Sequence, residues 1–126
     1  MKKITNIDLI SIKSYNFPVT AMSSILHRIS GLILLVAMPL AVVGMNYSLA
    51  GLSGYEATVN LLTVGWGSIF FWLFLSAITY HVYAGVRHMT MDMGFGESLK
   101  VAKATSMLVI TLGVLSAVLW GWFLWL

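Results

Sequence analysis

The sequence has no cysteine among its 126 residues, so this chain cannot form disulfide bonds, ligate an iron–sulfur cluster or perform thiolate chemistry. Charged residues are also scarce, at 9% of the chain, whereas a soluble domain contains roughly 25%. So few charged side chains cannot cover the surface of a water-soluble domain of this length. A water-soluble fold is therefore excluded, and any redox centre must be held by ligands other than thiolates.

Hydrophobic residues make up 60% of the chain, and its mean hydropathy is +0.93. They are concentrated in three stretches, at about 22–50, 58–88 and 103–126. Each stretch exceeds the roughly 20 helical residues that cross a hydrocarbon core of about 30 Å, and lipid favours segments that satisfy their own backbone hydrogen bonds. The sequence predicts an all-α integral membrane protein with three transmembrane helices in a single domain, 1–126, of which 1–20 form an N-terminal arm.

The seven basic residues all flank one side of the predicted helices. They are Lys2, Lys3, Lys13, Arg28, Arg87, Lys100 and Lys103. They are scattered and form no single patch or stripe, so the net charge of +3 does not indicate nucleic-acid binding. By the positive-inside rule, the N-terminal arm and the second connection are predicted to be cytoplasmic, and the C-terminus periplasmic.

A histidine inside the second predicted helix is the first candidate for chemistry. His81 lies about two turns, roughly 10 Å, below the cytoplasmic edge marked by Arg87 and His88. An ionisable group at that depth indicates a functional site, although a neutral histidine bonded to a neighbouring helix is equally supported by position alone. His81, Gly85 and His88 fall along one helical face, where a haem ligated by His81 would direct its propionates to the cations at the edge.

The start of the first helix offers a second candidate site. Ser24 and Arg28 are four residues apart and therefore share a helical face, where they offer a hydroxyl and a cation at the membrane edge. This pair suits the carbonyl oxygens of a quinone headgroup. The alternative is that Ser24 caps the helix and Arg28 is only a topology signal, and spacing alone slightly favours that alternative.

Two motifs contain these candidates. They are Ser24-x-x-His27-Arg28-x-Ser30-Gly31 and His81-x-x-x-Gly85-Val86-Arg87-His88-Met89-x-Met91-Asp92-x-Gly94. Together with the length, helix count and topology, they resemble the cytochrome b membrane-anchor subunit of succinate dehydrogenase, respiratory complex II. The resemblance covers nearly the whole chain and is closest to the bacterial type with two small anchor subunits.

The resemblance implies roles for five residues. His81 matches the axial ligand of the haem b iron, and Ser24 and Arg28 match residues of the quinone site. His27, Arg28 and His88 match the polar region near the haem propionates. These assignments come from the resemblance and add to what depth and spacing indicate.

The resemblance also implies partners and a location. Succinate would be oxidised on a flavoprotein subunit, and electrons would pass through an iron–sulfur subunit to ubiquinone, in the respiratory chain and the tricarboxylic acid cycle. This chain would share haem b with a second small hydrophobic anchor subunit in the bacterial inner membrane, and it would have no complete active site of its own.

Two other functions remain open at this stage. One is the anchor of a fumarate reductase or of a menaquinone-linked enzyme. The other, from a different class, is a small haem-free transporter or channel subunit. The predicted helices contain no Asp or Glu, which argues against a proton or substrate path.

Overall fold

The computed structural model describes residues 18–126, so nearly all of the predicted N-terminal arm lies outside the described residues. The secondary structure of the described part is entirely helical. It consists of α1 (Val19–Leu49), α2 (Leu52–Thr63), α3 (Gly65–Asp92) and α4 (Leu99–Trp125). Of these, α1, α3 and α4 are long and apolar enough to cross a membrane. The predicted all-α fold with three long apolar helices is confirmed.

The sequence predicted one helix over 58–88, but the structure has two helices in this region, α2 and α3. Val64 has extended backbone angles (φ −120°, ψ 141°), and Gly65 has φ +60°, in the left-handed region that favours glycine. The chain therefore turns between α2 and α3. At 12 residues, α2 is about 18 Å long and too short to cross the membrane. A β-carbon on Gly67 would overlap the Leu61 carbonyl oxygen, so glycine lets the two helices meet closely.

The ends of the long helices also differ slightly from the predicted bounds. α1 begins directly after Pro18, three residues before the predicted start, and it continues through Pro39 as one helix. α4 begins after Ser98, whose hydroxyl accepts a hydrogen bond from the backbone N–H of Val101 at 3.4 Å. This serine cap places the start of α4 four residues before the predicted one.

The three long helices pack as an antiparallel bundle in which each contacts the other two. Tyr80 of α3 joins all three, because its ring packs against Gly113 of α4 and its hydroxyl donates to the Ser23 carbonyl of α1 at 3.1 Å. Ala84 and Val109 complete the small buried core around Tyr80. Small residues at such positions allow helices to approach closely in a membrane, where packing drives their association.

α3 and α4 are joined by hydrogen bonds from three indole N–H groups. These are Trp72 to the Ala117 carbonyl (2.8 Å), Trp120 to the Thr79 hydroxyl (3.2 Å) and Trp125 to the Ser68 hydroxyl (3.1 Å). All three lie in the half of the pair that contains the start of α3 and the end of α4. The two helices are therefore connected by polar contacts as well as by packing.

Most large apolar side chains of the described residues point away from the bundle. Leu35 and Leu40 of α1, for example, are 70% and 67% exposed. In water such a surface would be unfavourable, but it is the expected surface of a protein surrounded by lipid or by other membrane subunits. The antiparallel arrangement also places Arg28, Arg87 and Lys103 at the same end of the bundle.

Candidate functional site

Three histidines from α1 and α3 meet on one side of the bundle. The rings of His27 and His81 are stacked, with centroids 4.2 Å apart and an interplanar angle of 25°. His88 lies on the other side of His27, with ring centroids 5.0 Å apart. All three side chains are half-buried. The structure thus brings together the histidines that the sequence placed on two different helices.

His81 is held from α1 through one of its two ring nitrogens. Nδ1 lies 3.0 Å from the Ser30 hydroxyl and 3.2 Å from the His27 carbonyl oxygen. The Ser30 hydroxyl in turn donates to the same carbonyl at 2.7 Å. Among the described residues, Nε2 of His81 has no hydrogen-bond partner. The imidazole is therefore oriented by α1, and its second nitrogen is available.

Two glycines lie against the histidine rings. A β-carbon on Gly31 would stand 3.1 Å from Cε1 of His81, which is closer than an ordinary contact. Gly85, which shares a helical face with His81 and His88, lies beside His27, where a β-carbon would be 3.8 Å from Nε2. Clearance for His81 thus comes from Gly31, to which the sequence pattern assigned no role of its own.

His27 contains a buried polar atom without a partner. Its Nε2 is shielded from solvent and makes no hydrogen bond among the described residues. Leaving such a group unpaired costs about 1–3 kcal/mol, so a bound group or a neighbouring chain at this position would be favoured. No three His, Asp or Glu side chains within residues 18–126 converge as ligands of a bare metal ion.

Ser24 and Arg28 lie on α1 close to His27 in the sequence, and their side chains differ in exposure. Ser24 is half-buried and Arg28 is exposed. Ser23 and Ser30 are instead the buried serines of α1. The predicted quinone pair thus stands at the outer surface of the described chain, where another subunit or a lipid-soluble molecule can reach it.

Arg87 occupies a different place from the one expected for a cation near the haem propionates. Its side chain is buried and points toward α4, where Nε donates to the Thr105 hydroxyl at 3.2 Å and Nη2 to the Ala102 carbonyl at 3.3 Å. Its position along the chain did not predict these contacts with α4. Arg87 joins α3 to α4, and His88, its neighbour, is the residue that faces the histidine cluster.

Comparison with known proteins places this arrangement in context. Residues 4–120 match the family described as succinate dehydrogenase/fumarate reductase transmembrane subunit. The chain is 36% identical over 125 residues to the succinate dehydrogenase cytochrome b556 subunit of Coxiella burnetii, covering 98% of each chain. It is 30% identical over 106 residues to the protein of the same name from Paracoccus denitrificans, covering 83% of this chain and 81% of that protein.

Proposed function

Since the chain belongs to the succinate dehydrogenase/fumarate reductase transmembrane subunit family, we propose that it binds haem b through His81 and helps to form a quinone-reduction site. It is a membrane-anchoring cytochrome b subunit of that family and a multi-pass membrane protein, in keeping with the bacterial inner membrane of its relatives. The proposed overall reaction is electron transfer from succinate to ubiquinone.

The geometry of His81 is the observation that carries this proposal. An axial histidine commonly presents one nitrogen to the metal while the other is hydrogen-bonded to a carbonyl or a hydroxyl. Nδ1 of His81 has both kinds of partner, the His27 carbonyl and Ser30, and Nε2 is left for a ligand. When bound, haem b supplies a one-electron carrier within the membrane.

The stacking of the histidines supports a haem shared between two chains. The two axial ligands of a six-coordinate haem lie on opposite faces of the ring. His27 is stacked on His81 at 4.2 Å, so these two imidazoles cannot occupy opposite faces of one porphyrin. We propose that a second small hydrophobic anchor subunit supplies the other axial ligand. His27, His88 and Arg28 then belong to the region of the propionates.

Ser24 and Arg28 are the proposed quinone residues. A hydroxyl and a guanidinium one turn apart donate hydrogen bonds to a quinone carbonyl oxygen and stabilise the negative charge that develops there on reduction. Arg28 is exposed at the bundle end that also holds Arg87 and Lys103. We propose that this end, with the N-terminus, is cytoplasmic, and that the C-terminus is periplasmic.

The proposed complex contains three further subunits. A flavoprotein and an iron–sulfur subunit deliver electrons at the cytoplasmic end, and the second anchor completes the membrane part. This chain then acts without a complete active site of its own. The family description includes fumarate reductase, so the anchor of an enzyme that runs toward fumarate or uses menaquinone is the second candidate function.

The test of this proposal is His81→Leu in the purified membrane complex, with His88→Leu as a matched control on the same helix. We expect His81→Leu to lose the reduced-minus-oxidised spectrum of low-spin haem b and most of the haem per protein. His88→Leu should keep the low-spin spectrum, because His88 lies nearer the helix end. An unchanged low-spin spectrum in His81→Leu would exclude the assigned ligand.

A further inference from the structure

Ser30 of α1 is buried and lies against the ring of His81. Its side chain is only 5% exposed, and its hydroxyl lies between the His27 carbonyl and the ring of His81. We propose that Ser30 is a positioning residue that keeps the proton of His81 on Nδ1 and so presents Nε2 to the haem iron. This inference rests on the proposed ligation of haem by His81.

The hydrogen bonds around Ser30 determine where this proton lies. A serine hydroxyl has a single hydrogen to donate and lone pairs with which to accept. The Ser30 hydroxyl donates to the His27 carbonyl oxygen, which at 2.7 Å is closer than Nδ1 of His81. Toward Nδ1 of His81, at 3.0 Å, the Ser30 oxygen therefore acts as the acceptor, and Nδ1 must carry the hydrogen.

The opposite tautomer would be unfavourable in this geometry. A hydrogen on Nε2 would leave a lone pair on Nδ1, facing the His27 carbonyl oxygen at 3.2 Å. Two lone pairs at that distance repel each other. Both oxygen neighbours of Nδ1 thus favour the same tautomer, and that tautomer is the one in which Nε2 has a free lone pair for a metal.

This arrangement would also tune the bound haem. A hydrogen bond donated by the second nitrogen raises the basicity of a ligating imidazole, which stabilises the oxidised iron. Loss of the Ser30 acceptor would therefore move the haem midpoint potential to a more positive value.

The experiment compares three variants of the assembled complex. Ser30→Ala removes the acceptor, whereas Ser30→Thr keeps a hydroxyl that can still bond to a carbonyl one turn earlier in a helix. Ser23→Ala is the matched control, because Ser23 is the other buried serine of α1 and its hydroxyl is 3.5 Å from Tyr80 instead of a histidine. The measurements are the haem midpoint potential, the low-spin spectrum and the haem retained per complex.

We expect Ser30→Ala to raise the midpoint potential and to weaken haem retention about tenfold. Tenfold is the lower end of the range for losing a hydrogen-bond partner of a metal ligand, and it is expected here because the His27 carbonyl still accepts from Nδ1. Ser30→Thr and Ser23→Ala should keep the wild-type potential. If Ser30→Ala does not assemble, Ser30→Cys takes its place, since sulfur is a weak acceptor of similar size, and the same positive shift is expected.

Two negative results would have different meanings. If His81→Leu abolishes the low-spin spectrum but Ser30→Ala and Ser30→Cys keep the wild-type potential, His81 is the ligand and Ser30 does not act through it. An equal shift in Ser23→Ala would overturn the inference in the same way, because any buried serine would then have this effect. If His81→Leu leaves the spectrum intact, the proposed function itself fails.

Discussion

The contact between Gly113 and Tyr80 gives a quantitative test of how the bundle is held together. A β-carbon at position 113 would lie 2.5 Å from Cδ2 of Tyr80, whereas carbon atoms in favourable contact are about 3.5–4.0 Å apart. Gly113→Ala therefore forces α3 and α4 apart by about 1 Å at this point, or it displaces the Tyr80 ring. Overpacking of this kind costs about 1–3 kcal/mol. Displacement of the ring would add about 1 kcal/mol through the lost hydrogen bond to Ser23.

The assay is SDS-induced unfolding of the purified complex in mixed micelles, followed by tryptophan fluorescence. We expect a lower SDS midpoint for Gly113→Ala. Gly44→Ala is the matched control, because within residues 18–126 a β-carbon at that position would meet no atom within 4 Å apart from its own helix backbone. It should leave the midpoint unchanged or raise it slightly, since alanine is the better helix former.

A double-mutant cycle separates the clash from other effects of the added methyl group. In a Tyr80→Ala background the ring is absent, so Gly113→Ala should lose most of its cost and the two sites should be coupled by about 1–3 kcal/mol. If Gly113→Ala destabilises the complex equally with and without the Tyr80 ring, the reasoning from this contact is refuted.

Two further predictions concern the membrane and the partner subunit. A reporter fused after Leu126 should be active in the periplasm, and a reporter inserted at 94–97 should be active in the cytoplasm, because the basic residues flank the cytoplasmic side. The reverse pattern would contradict the proposed orientation. The chain expressed without its proposed second anchor should not hold a stable low-spin haem, because it offers only one axial imidazole. Stoichiometric bis-histidine haem in the isolated chain would instead favour a homodimer.

The long helices were predictable because their signal is local. About 20 consecutive apolar residues are enough to identify a membrane span, and all three were found. The separate helix α2 was missed because the hydropathy of a continuous apolar stretch does not show whether the stretch forms one helix or two helices joined by a turn. Only the Gly65-Trp66-Gly67 sequence marked the turn, and glycine also occurs within transmembrane helices.

The candidate residues of the site could be named from the sequence, but their contacts could not. The depth of His81 follows from counting residues along one helix. Its stacking on His27 and its contact with Ser30 depend on the register between α1 and α3, which no local pattern specifies. The same limit applies to Arg87, whose position in the chain does not reveal that it turns toward α4.

The indole hydrogen bonds between α3 and α4 have a consequence for the order in which the protein assembles. All three lie within one pair of consecutive helices, and none involves α1. A hairpin of α3 and α4 can therefore form these bonds as soon as both helices are in the membrane. His81, in contrast, makes its side-chain hydrogen bonds within the described part of the chain to groups of α1. The imidazole of His81, the proposed haem ligand, is thus expected to reach its final orientation when α1, the first of these helices to be synthesised, docks on α3 and α4. Insertion of the proposed cofactor would then follow completion of the bundle.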